Sequence, residues 1–156
     1  MKTSKRGVEL IKQYEGCKLY AYRDAVGIPT IGYGHTKNVY MGMAITKEKA
    51  EEFLVSDIEP IEKALNILGV PFMQQQFDAL VSWIFNLGIG NFNSSTMKKF
   101  IMARRSNIEI TDQMVKWHNA GGRPLLGLKK RRVAEANMWL GYKKYCVDLN
   151  GKIKKR

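Results

Sequence analysis

Residues 15–36, EGCKLYAYRDAVGIPTIGYGHT, decide how this chain folds. Aromatic and β-branched residues surround the turn-like run DAVGIP, so the segment reads as a β-hairpin. Gly32 and Gly34 let its second strand bend, or let a ligand approach closely. A short sheet is expected across residues 18–44.

On the N-terminal side, a helix is expected over Ser4–Glu15, with Thr3 or Ser4 as cap and Gly16 as the stop. Val8, Ile11 and Glu15 fall at i, i+3 and i+7, so this helix ends with a carboxylate on its apolar side. On the C-terminal side, Thr46 is expected to cap KEKAEEFLVSDIEPIEKALNILG, where Phe53, Ile58, Ile61, Leu65 and Leu68 form a stripe. Pro60 implies a kink or a restart. A helix of ~20 residues is about 30 Å long, enough to join two lobes. Beyond Pro71 the chain reads as helical: QQQFDALVSWIFNLG, SSTMKKFIMARR, TDQMVKWHN and LKKRRVAEANMWLGYKK, broken at Gly88, Gly90 and Gly121–Gly122. Trp83, Trp117 and Trp139 are expected as core anchors of these helices and His118 as structural.

The fold class is therefore α+β, a small sheet-bearing lobe joined by a long helix to a larger helical lobe. The expectation is one domain over 1–156, with the sheet lobe at about 16–58 and the helical lobe at about 72–156 plus the N-terminal helix. Two cysteines, Cys17 and Cys146, form no disulfide framework and read as reduced thiols. No His/Cys/Asp cluster suggests a metal, and no Gly-rich strand-to-helix loop suggests a phosphate cofactor, so neither is expected. The basic N-terminus has no apolar signal core, and no run is long enough to span a bilayer, so a soluble, cytoplasmic product is expected.

Hydrolysis of a glycoside needs two carboxyl groups, one protonated for the leaving oxygen and one ionised. Glu15 fits the first duty, because burial on an apolar face raises the pKa of a carboxylic acid. Asp24, at the mouth of a polar hairpin, fits the second. If residues 25–29 form the loop, Thr30 lies directly opposite Asp24 on the same face and can help hold a water. Taken singly, Asp24 also reads as a turn former, Glu15 as a solvated helix end and Thr30 as an ordinary strand residue.

Glu15–x8–Asp24–x5–Thr30 resembles the catalytic signature of the phage lysozyme family, glycoside hydrolase family 24. The resemblance continues through QFDALVSWIFNLG, SSTMKK and WHNAGGRPLLGLKKRR followed by Glu135, covering about residues 7–142 in the family's order. It implies Glu15 as general acid, Asp24 as second carboxylate and Thr30 as the residue that positions water. It further implies cleavage of the β-1,4 bond between N-acetylmuramic acid and N-acetylglucosamine of peptidoglycan, with inversion. Phe85, Asn86 and Ser95 match cleft positions of the family. His35 reads as lining the cleft or pairing with Asp57. Lys129, Arg131 or Arg132 is expected to approach Glu15. Release to the wall through a separate membrane pore is implied by the same resemblance.

The formal charge of +12 predicts attraction to polyanions, whether nucleic acid, anionic lipid or a bacterial envelope, and the resemblance implies the anionic envelope. Ten Lys/Arg fall between Lys129 and Arg156 against only Glu135 and Asp148. A basic amphipathic C-terminal helix touching membrane is one reading of that cluster. A nucleic-acid-binding module is a competing class, but no helix-turn-helix, zinc finger or aromatic platform accompanies the charge, so no nucleic acid is expected. Nothing demands more than a monomer.

Overall fold

In the computed structural model, which describes residues 1–120 and 122–156, the first helix, α1 (Lys5–Glu15), begins where the Ser4 hydroxyl accepts the Gly7 N–H. It ends at Gly16. β1 (Lys18–Arg23) and β2 (Pro29–Gly32) then pair antiparallel. The chain returns beside β1 at residues 43–45, where Ala21 donates to the Met43 carbonyl at 2.9 Å and Ile45 to Leu19 at 2.9 Å. The sheet expected up to residue 44 is there, but its third member is only the bridge Tyr20–Ala44.

The hairpin register differs from expectation. Tyr22 faces Thr30 and Arg23 faces Pro29, which sets Asp24 level with Ile28 and shortens the loop to residues 25–27. Asp24 causes this itself. Its Oδ1 accepts the N–H groups of Val26 at 3.0 Å and Ile28 at 2.9 Å. Gly27 closes the turn onto the Asp24 carbonyl at 3.0 Å with a φ of 87°, which side-chain-bearing residues avoid. A slip of two residues preserves the face, so Asp24 and Thr30 are diagonal neighbours on one side instead of a directly opposed pair.

Thr46 caps α2 (Lys47–Asn66) as expected, and the helix runs through Pro60 without a restart. Pro60 is exposed, so its ring and missing N–H lie on the solvent side. The buried face is Ala50, Leu54, Ile58, Glu62 and Leu65; Phe53 and Ile61 are only half-buried, Phe53 because it turns to stack on His35.

The centre of the molecule is α3 (Gln74–Leu87), where every residue from Phe77 to Ile84 is buried. A helix buried around its circumference is a core helix, and α1 and α2 pack on it directly. Gly7 makes the α1 contact possible: a methyl there would stand 2.7 Å from Thr3 Cγ2 and 2.8 Å from Asp78 Cγ. Then follow α4 (Ile89–Ser94), α5 (Thr96–Met102), α6 (Asn107–Met114) and α7 (Leu126–Leu140), the last packed along α3. Trp83 and Trp139 are buried core anchors, and half-buried Trp117 meets Trp83 edge-on at 5.3 Å. The His118 ring nitrogen bonds the Val115 carbonyl at 2.7 Å.

Several C-terminal expectations are corrected. The helix expected over TDQMVKWHN starts earlier, at the capping box of Ser106 and Glu109, and ends at Met114. Asn119–Ala120 (β3) pairs with Arg123–Pro124 (β4), while Gly121 lies outside the described residues. Gly141 adopts a left-handed conformation and stops α7, so Lys143 and Lys144 are not helical. Past the last expected helix, Tyr145–Val147 (β5) and Ile153–Lys155 (β6) form a hairpin. Nor is α7 a basic surface helix, because Arg131, Arg132, Val133, Ala136 and Trp139 are buried.

Candidate active site

Glu15 is the last residue of α1, with its side chain 20% exposed. The apolar surround expected for it is replaced on one side by a cation: Arg131 Nη1, from α7, lies 3.4 Å from Glu15 Oε2. On the other side stands Gly34, whose missing side chain would have begun 3.9 Å from Glu15 Oε1. Of the three basic residues expected near Glu15, Arg131 is the one that arrives. Lys129 Nζ donates to the Gly151 carbonyl at 2.5 Å, and Arg132 Nη1 to the Trp117 carbonyl at 3.2 Å.

Arg131 is held from behind. Its Nη2 donates to the Ser82 carbonyl at 3.1 Å and its Nε to Glu135 Oε2 at 3.3 Å. Glu135 also accepts from Ser82 Oγ at 2.5 Å and from Arg132 Nη2 at 3.1 Å. Arg132 Nε comes within 2.6 Å of Glu135 Oε1, close as an ion pair though off the hydrogen-bond line. Burial lowers the Arg132 pKa, and Glu135 works against that shift. Two buried guanidiniums thus face one buried carboxylate, and Glu15 supplies the second negative charge at the edge.

Glu15 opens onto a hollow of about 490 Å³ lined by Tyr14, Asn86, Leu126, Leu128 and Arg131. A second hollow, about 450 Å³, is lined by Gly34, Thr36, Asp57, Ile61, Phe85 and Ile89. The two are neighbours where Gly34, just after β2, meets Glu15 and where Phe85 adjoins Asn86 along α3. Asn86 Oδ1 is buried with no hydrogen-bond partner among the described residues. Among those residues, no group of three or more His, Cys, Asp or Glu side chains converges as metal ligands would.

The other expected site residues divide. Asp24 is half-buried at the hairpin mouth, with Oδ1 committed to its own turn. Thr30 is 4% exposed and donates its hydroxyl proton to the Ile28 carbonyl at 2.9 Å. Phe85 and Asn86 reach the cleft. His35 does not: it is 5% exposed, bonds Asp57 through Nδ1 at 2.8 Å and stacks on Phe53. Ser95 is also turned away, accepting the Lys98 N–H to cap α5 and donating to the Phe92 carbonyl at 2.7 Å.

A second turn in the chain repeats the Asp24 geometry. Asp148 Oδ1 accepts the N–H groups of Asn150 at 2.9 Å and Lys152 at 2.8 Å, and Gly151 closes onto the Asp148 carbonyl. Even the cation on the glycine carbonyl recurs, Arg23 on Gly27 at 3.1 Å and Lys129 on Gly151. The turn is therefore a local device of the Asp-x-x-Gly sequence and confers no chemistry by itself. Residues that sequence reasoning missed are Tyr14, Ser82 and the Leu125–Leu128 rim. Only the Arg131–Glu135 spacing of four, favourable for an ion pair on a helix, carried a local signal.

Comparison with known proteins agrees with this fold. The family described as phage lysozyme matches residues 12–135. An endolysin of Acyrthosiphon pisum secondary endosymbiont phage 1 is 44% identical over 141 residues, covering 86% of this chain and 95% of the relative. The endolysin structure from Escherichia coli O157:H7 phage FAHEc1 superposes with a TM-score of 0.80 at 41% identity, over 90% of this chain and 94% of that one. The muramidase domain of SpmX from Asticaccaulis excentricus gives a TM-score of 0.83 at 38% identity, over 89% and 97%. A match across most of the chain, through the segments that build the cleft, means that this chain belongs to the phage lysozyme family.

Proposed function

We propose that this lysozyme-type glycoside hydrolase cleaves the β-1,4 bond between N-acetylmuramic acid and N-acetylglucosamine in peptidoglycan, by inversion. Glu15 is the general acid that protonates the leaving glycosidic oxygen. Asp24 and Thr30 hold the attacking water on the opposite face of the sugar. The observation that carries this reading is the Glu15 carboxyl in the wall of a hollow beside Arg131, followed in the chain by a hairpin that keeps Asp24 and Thr30 on one face.

The chemistry follows from the hydrogen bonds. Thr30 spends its proton on the Ile28 carbonyl, so its oxygen is free to accept a bond from water. Asp24 uses Oδ1 within its turn, which leaves Oδ2 to take the water's second proton. The water lone pair is then directed at the anomeric carbon while Glu15 gives its proton to the leaving oxygen. Phe85 and Asn86 contact the sugar, the Asn86 amide oxygen being an acceptor in want of a donor. His35 and Ser95 support the cleft walls through Asp57 and α5 instead of touching substrate.

Residues 1–156 act as one monomeric lysozyme unit, with the sheet lobe near 16–58 and the helical lobe near 72–156. Made in the host cytoplasm, the enzyme reaches the wall through a separate pore, drawn to the anionic envelope by its charge of +12. NMR of the first-formed product tests the mechanism: the α-anomer is expected, and the β-anomer would overturn the water-holding role of Thr30. New reducing ends on muramic acid are expected from purified peptidoglycan. Anhydro-muramic ends would replace hydrolysis by transglycosylation.

A further inference from the structure

We propose that the C-terminal hairpin β5–β6 is a docking element for an anionic phospholipid bilayer, with Leu149 entering the interface and the lysines of the hairpin drawn to the lipid phosphates. Leu149 sits at the tip of the Asp148–Gly151 turn and is completely exposed, at 107%. A large apolar side chain at a loop tip contributes nothing to the core, and it is the group that gains from leaving water.

The stem beneath that tip is pinned. Asn137 Oδ1 accepts the N–H groups of Lys144 and Tyr145 at 2.9 Å each, and its Nδ2 donates to the Tyr145 carbonyl at 3.0 Å. The Tyr145 hydroxyl donates to Asp112 at 2.6 Å, and Lys155 Nζ pairs with the other Asp112 oxygen at 3.1 Å. Lys129 on α7 ties the tip itself through the Gly151 carbonyl. A rigid stem presents Leu149 with little entropy left to lose on docking.

The charge of the hairpin as a whole suits an anionic surface. Residues 141–156 carry Lys143, Lys144, Lys152, Lys154, Lys155 and Arg156 against Asp148 alone. Lys154 and Lys155 pair with Asp148 and Asp112, so Lys143, Lys144, Lys152 and Arg156 have no carboxylate partner among the described residues. Lys152 adjoins the tip, while Lys143, Lys144 and Arg156 stand at the open end of the stem, where Arg156 donates to the Lys144 carbonyl. A basic hairpin ending in an exposed apolar tip matches an anionic headgroup layer over acyl chains, whereas a purely polyanionic polymer gives Leu149 nothing to enter. The hairpin also lies beyond residue 135, where the family match ends. Lys129 links it to the start of α7, whose Leu126 and Leu128 line the Glu15 hollow, so docking holds the cleft beside the membrane.

Co-sedimentation with vesicles tests this without any glycan present, and so independently of the reaction proposed above. The whole protein is expected to bind vesicles containing phosphatidylglycerol and to ignore pure phosphatidylcholine. Leu149→Ser is expected to weaken binding about tenfold. Lys152→Gln, beside the tip, is expected to cost roughly fivefold, and Lys143→Gln, at the far end of the stem, less. All three variants keep the parent melting temperature and the rate on short soluble glycans. Three outcomes overturn the proposal: no binding to anionic vesicles, binding that survives every variant, or lysine dependence with Leu149→Ser unaffected. Binding to isolated wall sacculi that the same variants abolish, with vesicles ignored, would also overturn it and assign the hairpin to the wall.

Discussion

Replacing Glu135 by glutamine attacks the ion cluster that seats Arg131 against Glu15. Glu135 is fully buried between guanidiniums that are 3% and 0% exposed, and it accepts from Ser82, Arg131 and Arg132. Glutamine keeps the shape, removes the charge and turns an amide N–H toward groups that are themselves donors. Two cations then remain inside, balanced only by Glu15 at 3.4 Å from one of them. Breaking a buried pair by removing one partner costs about 3–5 kcal/mol. At ~2–4 °C per kcal/mol for a chain of this size, the melting temperature falls by about 6–20 °C. Arg131→Met removes a cation instead and leaves Arg132 and Glu135 matched one to one, while Glu15 can rehydrate. Its fall is expected to be less than half as large. Thermal melts at pH 7, followed by circular dichroism, give the order. An Arg131→Met variant as unstable as Glu135→Gln would refute the charge-balance reasoning. Assayed well below their melting temperatures, both variants are expected to lyse more slowly, since both loosen the neighbour of Glu15.

Glu15→Gln is expected to fold and to lose about 10²–10⁴ in lytic rate, the usual worth of a general acid; a variant retaining a tenth of the activity would sink the assignment. The twin turns allow a matched control. Asp24→Asn and Asp148→Asn each keep an amide oxygen for the turn and lose only the charge. Both are expected to stay folded, with lysis abolished in the first alone, and equal activity in the two would remove Asp24 from the chemistry. Arg105, and then Ser106, hold the Glu109 carboxyl down at about 2. A depressed carboxylate stabilises the fold above its unfolded pKa and loses that contribution as pH falls toward 2. Glu109→Gln is expected to flatten the acid limb of a stability–pH profile measured by urea unfolding, and an unchanged limb would contradict the cap.

Much of this protein was legible along the chain because local rules wrote it. Ser4, Thr46 and Gly16 bound their helices through caps that involve only near neighbours. Glu15, Asp24 and Thr30 lie within sixteen residues of one another, on one helix end and one hairpin that local rules build. The D-x-x-G turn that closes the first hairpin also closes the second, at Asp148–Gly151. That signal stands in DLNG as it does in DAVG.

What the chain alone left open depends on contacts between distant segments. Arg131 and Glu15 are separated by 116 residues, and three adjacent basic side chains looked equivalent until α7 packed on α3. Helix rotation then turned Arg131 and Arg132 inward and left Lys130 outside. His35 and Ser95 carried cleft-like sequence contexts, yet tertiary packing engaged them with Asp57 and the α5 cap. A register, a cap or a stripe is set by residues a few positions apart. Which charged side chain is desolvated against which partner is set by how whole helices dock, and only the folded molecule decides that.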